Sequence, residues 1–175
     1  MAEQETQGNS AAAQGDAQQE FGLQKIYVKD ISFEAPGAPE IFLQEWKPET
    51  NVQLNSQARP VDEKGAYEVE LTITVTTRSA DQTAYLVEVK QAGVFLVRGV
   101  PEDQLGPLLS AYCPNILFPF ARETISDLVI RGGFPQLLLA PINFDSLYAQ
   151  KLNAQKAGES APADSQAAGN QPQAN

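Results

Sequence analysis

The chain has 175 residues, 22 Asp+Glu against 12 Lys+Arg, no histidine and a single cysteine, for a formal charge of −10. That balance excludes nucleic-acid binding by counterion release, which needs Lys and Arg along one face; the missing histidine excludes His-based triads, Cys-His pairs and a zinc site made from the chain's own N and S ligands. At ~100–150 residues per domain the length fits one domain with tails, and the lone Cys113, the acidic start Met1-Ala2-Glu3-Gln4-Glu5 and the lack of any apolar run near ~20 residues predict a soluble protein of a reducing compartment.

In chain order, residues 1–20 hold Ala, Gln, Gly, Asn and Glu, with no aromatic residue, and residues 153–175 return to that palette with Pro added. Neither stretch buries enough apolar surface to offset the entropy of ordering, so both are expected to be disordered tails around one folded domain at 21–152. Glu3, Glu5, Asp16, Glu20, Glu159 and Asp164 against Lys156 leave a net −5 there, half of the chain's charge.

Between the tails, period-two alternation marks strands, because successive side chains point to opposite faces of a sheet. The first runs over Leu23–Glu34, with Ile31 and Phe33 on one side and Asp30, Ser32 and Glu34 on the other. A short second strand is predicted at Asn51–Asn55. The third, Tyr67–Thr76, alternates Val, Leu and Ile with Glu and Thr. The fourth, Thr83–Leu96, sets Leu86, Glu88 and Lys90 against Val87, Val89 and Gln91, and Arg78–Gln82 before it reads as a hairpin loop. Short polar turns between such strands predict an antiparallel meander with one solvated face.

Past Pro101 the period changes to three and four. Glu102–Tyr112 and Pro114–Arg131 read as helical, with Ile116, Leu117, Phe120, Ile125, Leu128 and Val129 apolar, Pro119 as a bend or new turn, and Gly132-Gly133 as the stop. Phe134–Pro141 is bracketed by prolines and reads as an extended apolar crossing. A last helix, Ser146–Asn153, is capped by Asn143 or Asp145. Strands first and helices afterwards predict an α+β fold, a four-stranded antiparallel sheet with two helices packed on one face.

No polar cluster points to catalysis. Cys113 has no histidine to activate it and reads as a buried thiol. Arg122-Glu123 reads as a structural ion pair or an interface contact, and the one enzymatic alternative would rest on strand carboxylates such as Glu68 or Glu70. The apolar surplus is more informative: Trp46, eight Phe, five Tyr, Ile41-Phe42 and Leu137-Leu138-Leu139 exceed what one small sheet and two helices hide, so part of it faces partners. Asp30, Glu34, Glu68, Glu70 and Glu88 share the polar side of their strands. They form either a solvated face that blocks aggregation or a docking face for a basic partner.

Ile26–Pro36, Tyr85–Val89, Ala111–Glu123, Phe134–Leu137 and Leu139–Asp145 together resemble the SecB family of bacterial protein-export chaperones, in the same order and over about residues 21 to 152. The resemblance implies a cytoplasmic homotetramer, a dimer of dimers, that uses no cofactor and no ATP. It implies partners of two kinds: unfolded preproteins, held competent for translocation, and the SecA ATPase that receives them. Nucleic acid and membrane insertion are not implied. By position, the resemblance assigns SecA binding to Asp30, Glu34, Leu86 and Glu88, subunit assembly to Val87, Val89 and Gln91, and a client groove to Phe42, Trp46, Tyr112, Leu117 and Phe118. A SecB-like chaperone acting outside export, such as on a toxin-antitoxin pair, would share the groove without needing the SecA-binding acids.

Overall fold

A computed structural model describes residues 19–159, with side chains described to Lys156; most of the two expected tails, 1–18 and 160–175, lies outside the described residues. Four strands, β1 (Glu20–Glu34), β2 (Pro48–Pro60), β3 (Ala66–Ser79) and β4 (Gln82–Arg98), form one antiparallel sheet in the order β1-β4-β3-β2. The strands are thus not a simple meander. β2, β3 and β4 are joined by tight turns, but β1 lies beside β4, in Greek-key order. The connection from β1 to β2 must therefore cross the whole sheet.

That crossover, residues 35–47, passes over the end of the β3–β4 hairpin. Lys47 N–H donates to Ser79 Oγ (3.0 Å), and Ser79 Oγ donates to the Glu45 carbonyl (3.3 Å). A 3-10 turn at Glu40–Leu43 buries Ile41 and leaves Phe42 half exposed and Leu43 almost fully exposed.

β2 is more than twice as long as the predicted Asn51–Asn55. Its core-facing row is Val52, Leu54, Ser56 and Ala58, opposite Val75, Ile73, Leu71 and Val69. Two of those four are small, which hides the alternation from a hydrophobicity reading. β3 and β4 follow the alternation closely. Leu71, Ile73 and Val75 face Gln91, Val89 and Val87 across the ladder, and all are buried.

One layer of helices covers this face. α1 (Glu102–Pro107) passes through a π-helical turn at Leu108–Tyr112 into α2 (Cys113–Arg131), which lies over β4 and β3. The buried row on α2 is Cys113, Leu117, Ala121, Ile125 and Val129, a strict spacing of four that meets the sheet along one stripe. Phe120, expected on that stripe, is exposed instead. α3 (Phe144–Glu159) starts where Asn143 Oδ1 accepts the Ser146 N–H at 2.9 Å, the bond of a helix N-cap. It runs past the expected domain end at 152, so the predicted disordered tail begins as helix. Ala, Gln and Lys favour a helix without supplying apolar surface, and that composition resembles disorder.

Candidate functional site

The uncovered face of the sheet carries all five strand carboxylates, but in two different states. In the cross-strand rows, Glu34 pairs Leu86, Ser32 pairs Glu88 and Asp30 pairs Lys90. These residues lie on adjacent strands of one face. The structure thus gathers Asp30, Glu34, Leu86 and Glu88 into one patch. Asp30 and Glu34 are exposed, Leu86 and Glu88 partly so. One oxygen of Glu88 accepts from Thr74 Oγ1 (2.9 Å), and Lys90 Nζ stands 3.4 Å from Asp30 and 3.8 Å from Glu88.

Either reading of the acidic face leaves Glu68 and Glu70 open to water, but they are 4% and 6% exposed. Side chains from two strands, β1 and β2, close over them. Lys29 Nζ lies 3.1 Å from Glu68 and 2.7 Å from Glu70, Arg59 Nε donates to Glu68 at 2.6 Å, Gln57 Nε2 donates to Glu70 at 2.9 Å, and Tyr27 Oη donates to Glu68. Tyr27 reaches across β4 because its row there holds Ala92, which leaves room for a ring to pass. A bulge between Val28 and Asp30 leaves Lys29 outside the ladder pairing and lets it turn to the same acids. The Tyr27 hydroxyl, then Lys29 and Arg59, hold the Glu68 carboxyl below its ordinary value against the opposing effect of burial. The bonds to Glu70 and then to Glu68 raise Lys29, and the bond to Glu68 together with burial raises Tyr27.

On the helix side an aromatic cluster forms around Phe134. Its ring centroid lies 4.9 Å from Tyr85, 5.0 Å from Phe42, 5.7 Å from Trp46 and 6.4 Å from Phe33. Phe134 is not among the groove residues that the resemblance assigns, yet its place is fixed by local geometry. Gly133 has φ +85°, Gly133 N–H donates to the Ile130 carbonyl, and Phe134 N–H donates to the Val129 carbonyl. These are the two bonds of a Schellman C-cap, which points the residue after the left-handed glycine back onto the helix end. Gly132 serves the same cluster differently: a Cβ there would lie 2.2 Å from the Phe33 ring. The spacing Gly-Gly-Phe after a helical pattern was the available signal. Of the assigned groove residues, Phe42 (49% exposed) and the half-buried Trp46 join this cluster.

Tyr112 is exposed in a separate place, edge-on to Phe21 at 5.4 Å, with Phe21 stacked on Phe95. Leu117 and Phe118 are both buried, Leu117 in the row that α2 presses on the sheet and Phe118 edge-on to Phe144. Val87, Val89 and Gln91 are likewise buried, beneath α2. Gln91 donates to the Tyr27 carbonyl (2.9 Å) beside the bulge. Further along, Leu54, Leu71, Phe144, Leu147 and Tyr148 line a cavity of about 330 Å³ between β2 and α3.

Two groups weighed for chemistry are inert or unpaired. Burial alone pushes the Cys113 thiol, a free and buried cysteine, up to about 12. Of the two readings of Arg122-Glu123, the ion pair is not formed among the described residues, where Arg122 Nε is buried without a hydrogen-bond partner. Among the described residues no helix is long and apolar enough to cross a membrane.

The profile of the family described as "Preprotein translocase subunit SecB" matches residues 14–155. Curated relatives named "Protein-export protein SecB" include those of Thioalkalivibrio sulfidiphilus, 65% identical over 87% of this chain and 93% of its own length, and Alcanivorax borkumensis, 57% identical over 83% and 94%. That of Halorhodospira halophila is 53% identical over 94% and 96%. A Mycobacterium tuberculosis SecB-like chaperone, solved in complex with a peptide from an antitoxin, shares the fold at a TM-score of 0.59 and 17% identity over 70% of this chain and 90% of its own. With its four-stranded antiparallel sheet, its single helical layer and relatives at this identity over nearly their full length, the chain belongs to the SecB family.

Proposed function

We propose that this protein is a cytoplasmic holdase for export. It binds unfolded precursors through apolar surface, keeps them from folding, and passes them to SecA without ATP and without catalysis. The observation that carries this reading is the aromatic cluster at the end of α2, packed on Phe134 within and open at Phe42 without. Burial of apolar area at ~25 cal/mol per Å² is non-directional, so extended segments of many sequences can cover such a surface, whereas a folded protein has little to offer it. Covering one half-exposed aromatic ring contributes only about 1 kcal/mol. Several patches, Phe42 with Trp46 in one place and Tyr112 with Phe21 in another, must therefore act on one client. Repetition in a homotetramer, a dimer of dimers, would raise the effective concentration further. Asp30, Glu34, Leu86 and Glu88, on the far side of the sheet, are then free to meet SecA while the client is bound. Val87, Val89 and Gln91 would affect assembly only indirectly, through the packing of β4 under α2 and of β1 on β4.

The test is capture of a slowly folding precursor. Phe42→Ala with Trp46→Ala should weaken capture about tenfold with the oligomer intact, and unchanged capture would remove both residues from the client surface.

A further inference from the structure

Two lysines on the outer sheet face, Lys29 and Lys90, are divided between the two sets of carboxylates. Lys29, outside the ladder at the bulge, is committed to Glu68 and Glu70 at 3.1 and 2.7 Å. Lys90 is left with the exposed set, and among the described residues it is the only base in contact with Asp30 and Glu88. Its separations of 3.4 and 3.8 Å are those of a loose, solvated pair, and its side chain remains 36% exposed. An ammonium held in this way leaves two acids partly neutralised without burying them. A basic segment of a partner would have to displace it or share its acids.

We propose that Lys90 is an internal competitor at the acidic face: it occupies the position that a partner's Lys or Arg would take, and so weakens docking and sets its salt dependence. This rests on the docking role proposed above for Asp30, Glu34, Leu86 and Glu88. The physical content is modest and definite. Displacing a cation from two exposed pairs removes a small stabilisation, and docking a base on a patch that already holds a positive charge forfeits part of the attraction. For a carrier that must release its receiver after delivery, such a penalty shortens the complex.

Lys90→Gln should bind purified SecA about three- to tenfold more tightly than the unsubstituted protein at low salt, with unchanged thermal stability. The gain should shrink as salt is raised past ~0.3 M, where exposed charges are screened. In an Asp30→Asn, Glu88→Gln background, the Lys90→Gln gain should vanish. If Lys90→Gln binds SecA equally or more weakly at low salt, or if its gain survives in that background, Lys90 is not a competitor. The background protein separates this failure from that of the docking role: if Asp30→Asn with Glu88→Gln leaves SecA affinity intact, the acidic face is not the docking surface and the inference falls with it.

Discussion

Asp30, Glu34 and Glu88 lie on the same face of one sheet as Glu68 and Glu70, and by alternation alone the five are equivalent. The structure separates them into two sets. Glu68 and Glu70 sit on β3, an interior strand, where Tyr27, Lys29, Gln57 and Arg59 reach them from both sides. Their lone pairs are occupied and their oxygens are out of water. Among the described residues, Asp30, Glu34 and Glu88, on β1 and β4, meet only Thr74 and the loosely held Lys90. The difference lies in what reaches each carboxylate: a small residue at Ala92 and a bulge at Lys29 bring cover to one set and leave the other open. The same residue type in the same pattern is thus structural at one end of the face and available for recognition at the other.

The comparison can be broken most forcefully at Glu68. Glu68→Ala leaves Tyr27, Lys29 and Arg59 without their shared acceptor and should cost about 2–3 kcal/mol in denaturant unfolding, whereas Asp30→Ala should stay within about 0.5 kcal/mol. Equal losses would erase the distinction. Ala92→Leu tests the passage itself. A larger side chain in the row between Tyr27 and Glu70 should force the tyrosine off Glu68 and cost about 1–2 kcal/mol, and neutral behaviour would mean that the small residue is incidental. A smaller effect is expected in the pH dependence. Because the folded Glu68 value is depressed, its contribution is present above the unfolded carboxyl value of ~4.3 and is lost as pH falls through the folded value. Lys29 and Tyr27 are raised, so their contributions are present below their unfolded values near ~10 and are lost as pH rises through the folded ones. Glu68→Gln should flatten both limbs of a stability profile, while Asp30→Asn should leave them as they are.

Much of the fold was legible because β3 and β4 alternate so regularly and because α2 ends at a glycine pair. The pairing order was not legible: alternation tells which residues share a face but not which strands are neighbours, and the crossover from Ala35 to Lys47 has no local signature. β2 was shortened because Ser56 and Ala58 stand where its core-facing row would show large apolar residues. On the helix, aromatic and aliphatic types alone could not separate core from surface. The four-residue spacing from Cys113 through Leu117 to Val129 did carry that information and placed Leu117 inside. The Gly-Gly-Phe spacing carries the signal for Phe134, whose place at the helix end the left-handed φ of Gly133 sets. The division among the acids depends on Tyr27, Ala92 and Lys29 being neighbours in space, which no single strand reveals.

The most direct measurement is the affinity of Asp30→Lys with Glu88→Lys for purified SecA, alongside its melting temperature and its capture of an unfolded precursor. We expect SecA binding to fall by at least tenfold at low salt while folding and capture stay unchanged, because Asp30 is exposed, Glu88 partly so, and their partners among the described residues are the Thr74 hydroxyl and the loosely held Lys90. Undiminished SecA binding in a folded, client-competent protein would contradict the account.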